Sequence, residues 1–399
     1  MMWEKLRRYG LEHCDMATMI DNVATLLRLL AMKIDGERQG PHVVSVVLAL
    51  IIMVLYFYVF VVSVFWMIFG RETEDIIADA VVIEMAMSAY MSSIKLICLH
   101  FNSKLARKTI AAYLSCDKRV WRDSSMYRNR LKNMRLVKLR AIVMWITIVV
   151  NGSVYLIRPY FRSGRHLVDD GHGLYGLEPR FETPNYEVTL FFESFCISYG
   201  VLACATTMAL LIIIVGFLEA QMLALSDEML LLWDGAQLYA IAKDEPNNEE
   251  LKNKYVKHRL ESIIQTHAAT LSLLRSTGSI FSNCIIVEFL FLGIGLIAGL
   301  FCGLENTYLQ LPYAFTQITM DCYTGQRLIE ASHKFQDSVY DCKWEEFDVT
   351  NKRTVLMILQ NSKTMVLSAG GIAELRYASL MSVYKMIYSA YMALRSTIY

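Results

Sequence analysis

The sequence predicts an all-α membrane protein with seven transmembrane helices, a cytoplasmic N-terminus, an extracellular C-terminus and long cytoplasmic helical extensions. Three observations predict it. The 399-residue chain is 55% hydrophobic and only 19% charged, where soluble domains run at about 45–50% and 25%. Its apolar residues are gathered into stretches of the roughly 20 residues that a helix needs to cross the hydrocarbon core. Its basic residues are concentrated in one segment between two of those stretches, residues 101–140, with 12 Lys/Arg against 2 Asp/Glu.

The spans follow in order. The first, Val43–Phe69, has no charge in 27 residues. The second, Ile76–His100, is apolar apart from Asp79, Glu84 and Lys95. Ala141–Ile157 is the third, stopped by Arg158-Pro159, and Val188–Leu218 is the fourth, with Glu193 as its one charge. The fifth is Ser276–Leu304, interrupted by Glu288, and the weaker sixth is Thr307–Gln326, with Pro312 and Asp321. The seventh is split into Thr354–Ser368, a break at Ala369-Gly370-Gly371, and Tyr377–Leu394. Each reads as a helix because a lone span must satisfy its own backbone hydrogen bonds in lipid.

Basic residues in short loops stay cytoplasmic. Residues 101–140 are therefore inside. Residues 158–187 carry 4 basic and 5 acidic side chains, and residues 71–75 carry one basic and three acidic, so both lie outside. Seven spans then put the N-terminus inside, opposite to a G-protein-coupled receptor. The opening Met1-Met2-Trp3-Glu4-Lys5 has no basic stretch leading into an apolar one, so no cleavable signal peptide is expected. On the cytoplasmic side the fourth helix reads as continuous to Ala242. A second helix, Glu249–Arg275, returns to span five with an apolar stripe, which must bury itself against other helices or a neighbouring subunit.

Several helix faces bear on function. In span two Glu84, Ser88, Met91 and Lys95 fall on one face, with Met87 beside it. Ionisable groups within a membrane usually face protein or a wet cavity, so this face points inward, as a functional surface or as a packing pair of Glu84 with Lys95. Span three contributes Ile148, Asn151 and Tyr155 near its outer end. Span four contributes Phe192, Phe195, Cys196 and Tyr199, and span six Tyr308, Leu311 and Phe315. Together they offer an aromatic and apolar lining with a few hydroxyls and one amide, suited to a small semi-polar organic ligand or simply to core packing. In the last helix Ser382, Met386, Ser389, Ala393 and Ser396 share a sector, and Tyr377, Tyr384, Tyr388 and Tyr391 lie nearly opposite. A small hydroxyl-bearing face suits a pore or close helix packing through small residues.

Other classes are poorly supported. With 39 basic and 38 acidic residues the chain is no nucleic-acid binder. The nine cysteines form no CxxC pair and sit mostly in apolar stretches, where cysteine behaves as a small hydrophobe. No metal site, cofactor motif or catalytic constellation emerges, so the chain is not read as an enzyme. His166 and His172 lie six apart in an outer loop as a weak metal suggestion, and the sequon Asn151-Gly152-Ser153 falls inside span three.

The C-terminal third resembles the insect odorant receptor family. Asp321-Cys322-Tyr323-Thr324-Gly325-Gln326-Arg327-Leu328 is similar to that family's Cys-Tyr/Trp-x-Gly-x-x-Leu signature, followed by Val339-Tyr340-Asp341-Cys342-Lys343-Trp344. Met365-Val366-Leu367-Ser368-Ala369-Gly370 is similar to the break inside the family's seventh helix. Lys95 and Tyr155-x-x-x-Pro159 also fit. Related gustatory receptors end in a Thr-Tyr-x5-Gln-Phe motif that this last helix lacks. The family's co-receptor carries a long cytoplasmic insertion that is absent between spans four and five here, so the chain resembles an odour-tuning subunit.

The resemblance implies a plasma-membrane subunit of olfactory neuron dendrites. Its partners would be the odorant receptor co-receptor in a heterotetramer, a small volatile organic ligand, membrane lipids and permeant cations. It implies a ligand-gated, non-selective cation channel with the ligand in the outer half of the bundle. The chain then divides into 1–42, a cytoplasmic N-terminal helical region, and 43–218, spans one to four around the ligand. Residues 219–275 are cytoplasmic extensions that anchor the assembly, and 276–326 are spans five and six. Residues 327–368 hold the anchor and the first half of span seven, and 369–399 its pore-lining second half. The competing readings are a gustatory-type channel and a seven-helix receptor signalling through a G protein.

Overall fold

The computed structural model describes residues 8–34, 43–70, 76–120, 124–303 and 307–398. The acidic turn 71–75 lies outside them. Among the described residues the chain is helical apart from one two-residue hairpin, β1 (Ser368–Ala369) against antiparallel β2 (Ala373–Glu374).

A short helix, α1 (Met16–Leu29), is N-capped by Asp15, whose carboxylate accepts the Thr18 N–H at 3.0 Å. The first span comprises α2 (Val43–Phe57), a π-helical turn (Tyr58–Val62) and α3 (Ser63–Phe69). Then come α4 (Ile76–Phe101), α5 (Ser103–Arg119) and α6 (Ser125–Ile157). A connecting stretch leads to α7 (Asn185–Leu230), and α8 (Leu232–Ile241) and α9 (Glu249–Cys302) follow. The chain ends with α10 (Gln310–Tyr340), α11 (Val349–Asn361), the hairpin and α12 (Tyr377–Ile398). Among the described residues five helical stretches are long and apolar enough to cross a membrane: Val46–Phe69, Ile76–Phe101, Ser125–Phe161, Asn185–Leu230 and Glu249–Cys302. The expected spans six and seven fall on α10 and α12, which carry more polar residues.

The centre of the bundle is α7. Every residue from Ala203 to Met222 is buried, as expected of a helix that is hydrophobic all round, and α4, α6, α9 and α10 pack around it. The first span lies outermost, with Leu50, Met53, Val54, Phe57 and Phe65 more than half exposed toward what is lipid in the membrane.

The structure corrects four expected boundaries. Residues 101–140 are not an open loop: α5 and the first half of α6 occupy most of it, so span three is the end of a 33-residue helix. Three of its cations are structural. Arg130 reaches Asp117 at 2.5 Å and Gln221 at 2.9 Å, Arg140 pairs with Glu219, and Lys138 donates to the Arg8, Gly10 and His13 carbonyls. The fourth helix does not run unbroken to Ala242. It stops at Leu230 after about 69 Å, and the bend at Leu231 lets Trp233 bury against Phe347 under the Lys252 ammonium. Span five and its cytoplasmic extension are instead one helix, α9, of 54 residues. The first half of span seven ends at Asn361, not Ser368, because the strand-like stretch after it bonds to α10: Ser332 Oγ accepts the Met365 N–H at 3.1 Å.

Candidate functional site

A cavity of about 80 Å³ sits between α4, α6, α7, α10 and the π-helical turn of the first span. It lies toward the end of the bundle that carries residues 158–184. The first span supplies Tyr56 and Phe60, and α4 supplies Met85, Ser88, Ala89 and Ser92. Asn151, Gly152 and Tyr155 come from the last turns of α6, and Ile197, Gly200 and Val201 from α7. Leu309, Gln310 and Tyr313 close it at the start of α10. π-helical turns inside α-helices frequently mark functional sites, and here one sits directly at the cavity wall.

The polar groups of the lining are largely tied to one another. Tyr56 donates to the Ala89 carbonyl, and the Tyr313 and Ser92 hydroxyls share a 2.9 Å hydrogen bond. The Asn151 amide donates to the Leu309 carbonyl at 3.2 Å, fixing α6 to the start of α10. Tyr155 receives the Gln310 side-chain N–H at 3.1 Å and points its own hydroxyl at Asp169 Oδ2, 3.5 Å away. Burial pushes the Asp169 carboxyl up, while the Gly171 N–H favours its charged form.

A second, separate void of about 10 Å³, the side lobe, lies behind Ser88 and Gln310, which line both spaces. Glu84, Met87 and Met91 line it from α4, Leu292, Gly295 and Leu296 from α9, and Leu311 and Ala314 from α10. Residues 158–184 form a cover strapped to the bundle. His172 Nδ1 lies 2.8 Å from Glu193 with both side chains fully buried, and Tyr175 N–H donates to Ser63 Oγ at 3.2 Å.

Seven of the fourteen expected ligand-site residues thus meet the cavity or its lobe: Glu84, Met87, Ser88, Met91, Asn151, Tyr155 and Leu311. The others stand elsewhere. Ile148 is buried in the main core, and Cys196 and Phe192 do not line the cavity but pack behind its wall, in a cluster with Phe60, Met85 and Ala89. Phe195 stacks on the exposed Phe191, and Tyr199 packs against the core beside the cavity. Tyr308 is half-exposed beneath the Arg158 guanidinium, and Phe315 meets Tyr384 of α12 edge to face. For α7 and α10 the cavity face is rotated by one to two residues from the aromatic stripe. Twelve of the fifteen residues that line the cavity are missed by the sequence reading, Tyr56, Phe60, Gln310 and Tyr313 among them. Gln310 and Tyr313, polar groups three apart at the start of an apolar span, were the available signal.

Deeper in the bundle, Lys95 Nζ lies 2.8 Å from Glu288 Oε1, 3.0 Å from Asp321 Oδ2 and 2.6 Å from Met208 Sδ. Glu84 is not the partner of Lys95: eleven residues separate them, about 16 Å along the helix. The expected pore residues Ser382, Met386, Ser389, Ala393 and Ser396 are all exposed on α12, while Leu380 and Ile387 turn into the bundle. Tyr384 packs on α10. Its hydroxyl shares a 2.7 Å hydrogen bond with Thr319 and reaches the Phe315 carbonyl at 3.3 Å.

The sequence model of the family described as "7tm Odorant receptor" matches residues 76–388. The chain belongs to that family. Two curated relatives from Drosophila melanogaster are similar over shorter stretches. Odorant receptor 22c is 28% identical over 122 residues, 29% of this chain and 30% of that receptor. Odorant receptor 22b is 23% identical over 156 residues, 37% and 38% respectively. Each match therefore spans well under half of the relative. In fold the chain is similar to the insect olfactory receptor OR5 from Machilis hrabei, with a TM-score of 0.74 at 12% identity over 94% of this chain and 97% of that one. The same receptor in complex with eugenol matches equally well, over 95% and 97%. The odorant receptor family and its fold are those of membrane receptors, not enzymes, and the insect odorant receptor resemblance of the C-terminal signature extends to nearly the whole chain.

Proposed function

We propose that this chain is the odour-tuning subunit of a heteromeric, ligand-gated, non-selective cation channel. It would work in the plasma membrane of olfactory neuron dendrites with the odorant receptor co-receptor, its N-terminus cytoplasmic and its C-terminus extracellular. The observation that carries the reading is the mainly apolar cavity between the helices with a few placed polar groups, which is the form small-molecule sites take. The solved eugenol complex of OR5 supports the class of ligand, a small volatile organic molecule.

Cavity size gives the ligand a means of doing work. A benzene-sized guest needs a cavity of about 150 Å³, and this one is about 80 Å³. A volatile of ordinary size must therefore push the lining apart, and α10 is part of that lining. Helix α10 also holds α12 through Thr319, Phe315 and Tyr384. Displacement of α10 by the odorant is then passed to α12, whose face of Ser382, Met386, Ser389, Ala393 and Ser396 we assign to the pore.

Co-expressing the full chain with the co-receptor and recording odour-evoked cation current tests the reading. No current across a broad volatile panel, with the chain at the cell surface, would overturn it. Terminal epitope tags on intact cells test the orientation, since an accessible N-terminus contradicts it. The coupling has its own variant. Tyr384→Phe removes one hydrogen-bonding group worth about 1 kcal/mol, so the concentration–response curve is expected to shift by roughly fivefold for every active odorant alike. A change in odorant ranking instead would place Tyr384 in ligand recognition.

A further inference from the structure

Among the described residues two buried acceptor oxygens facing the side lobe have no hydrogen-bond partner: Gln310 Oε1 and Glu84 Oε2. Gln310 is 8% exposed and Glu84 3%, and a buried polar group left unpaired is costly. The Gln310 amide is oriented by its neighbours. The Tyr155 hydroxyl, which faces Asp169, receives the Gln310 N–H at 3.1 Å and so holds the amide nitrogen on that side. That leaves the Gln310 carbonyl oxygen as the group presented at the wall between lobe and cavity. Glu84 spends its other oxygen on Ser88, which donates to it at 3.2 Å.

Two glycines let α9 approach α4 closely beside the lobe. A Cβ on Gly299 would stand 3.3 Å from Glu84 Cγ, and one on Gly295 would stand 3.2 Å from Met87 Cβ. Its volume of about 10 Å³ holds a single group the size of a water molecule. A group of that size that can donate to Gln310 Oε1 is a water molecule or, when a ligand displaces it, the ligand's hydroxyl.

Taking the cavity as the odorant site, as proposed above, we infer that it selects volatiles bearing a hydroxyl, an alcohol or phenol on a compact apolar body, over carbonyl and ester analogues of the same skeleton. The hydroxyl donates its one proton to Gln310 Oε1, while the apolar body fills the cavity against Phe60, Val201 and Tyr313. A ketone, aldehyde or ester brings only acceptors, leaves Gln310 Oε1 unpaired and sets oxygen against oxygen.

The test uses the full chain co-expressed with the co-receptor, with surface delivery measured beside current, and matched probes: 2-heptanol with 2-heptanone, and 1-hexanol with hexanal. A site that hydrogen-bonds a hydroxyl discriminates by the cost of an unpaired buried group, roughly 10–100-fold, so each alcohol should act at that much lower concentration than its carbonyl partner. Gln310→Met keeps length and apolar volume but removes the acceptor, and should bring the ratio to within about threefold. Tyr155→Phe frees the amide to turn and should also reduce it. The ratio is independent of expression level, and the wild-type ratio alone decides the matter if a variant does not reach the surface. Carbonyl compounds equal to or better than their alcohols in the wild type would overturn the inference. So would a ratio that survives in Gln310→Met. Silence to all volatiles at normal surface delivery would instead overturn the odorant reading of the cavity, and this inference with it.

Discussion

Replacing Lys95 with methionine is expected to destabilise the bundle by about 3–5 kcal/mol, the range for removing one partner of a buried ion pair. The ammonium is 1% exposed and lies within 3.0 Å of both Glu288 and Asp321, which are as deeply buried. These three side chains come from α4, α9 and α10, so the cluster ties together three helices that otherwise meet through apolar contacts in a medium as apolar as themselves. Association of helices in lipid has no hydrophobic driving force and relies on packing and polar contacts. Without Lys95 two carboxylates face each other in the core with no cation. Surface delivery should fall steeply, and the purified protein should unfold at lower temperature. The triple variant Lys95→Met, Glu288→Gln, Asp321→Asn should recover most of both, since replacing a whole buried ionic cluster by neutral groups is often nearly neutral. A Lys95→Met protein as stable and as well delivered as wild type would show that the cluster does not hold the helices together.

That cluster also shows what one-dimensional reading supplies and where it stops. The isolated charges in spans two, four, five and six, Lys95, Glu193, Glu288 and Asp321, stand out against apolar runs, and each implies an inward face. Which charge meets which is a property of the packing. Lys95 crosses to Glu288 and Asp321, and Glu193 to His172 of the covering loop. The spans were legible because about 20 apolar residues in a row is a signal needing no partner. The cavity face of α7 was not, because its outer part buries Thr189, Glu193, Cys196 and Gly200 at helical spacing, and such a pattern marks an inward side without telling packing from cavity. Attention then goes to its aromatics, Phe192 and Phe195, while the cavity is met by Ile197, Gly200 and Val201. Charge counting gave residues 101–140 as a cytoplasmic loop, yet Arg130, Lys138 and Arg140 are held by partners within the helical domain. A basic segment can orient a protein and build it at once.

Gly325→Ala is expected to have the second large effect, and it concerns a residue of the family signature. A Cβ at this position would stand 2.2 Å from the Leu375 carbonyl oxygen and 2.5 Å from its Cβ. The obstacle is backbone, which cannot rotate away as a side-chain tip does. Leu375 is itself pinned, donating its N–H to the Leu367 carbonyl at 2.9 Å at the base of the hairpin β1–β2. The added methyl must therefore push the whole hairpin off α10, and α12 starts two residues beyond Leu375. Overpacking of this kind costs about 1–3 kcal/mol and occasionally more, and here the strain falls on the joint between α10 and the helix assigned to the pore. Gly325→Ala is expected to reduce odour-evoked current at least tenfold, the equivalent of about 1.4 kcal/mol, with odorant ranking unchanged because the cavity lies about three turns away along α10. Gly278→Ala is the matched control: no atom lies within 4 Å of its added Cβ, and alanine in a helix interior is more stable than glycine by about 0.5–1 kcal/mol. Wild-type current from Gly325→Ala would mean that the hairpin moves freely against α10, and that the close approach seen here does not set the position of α12.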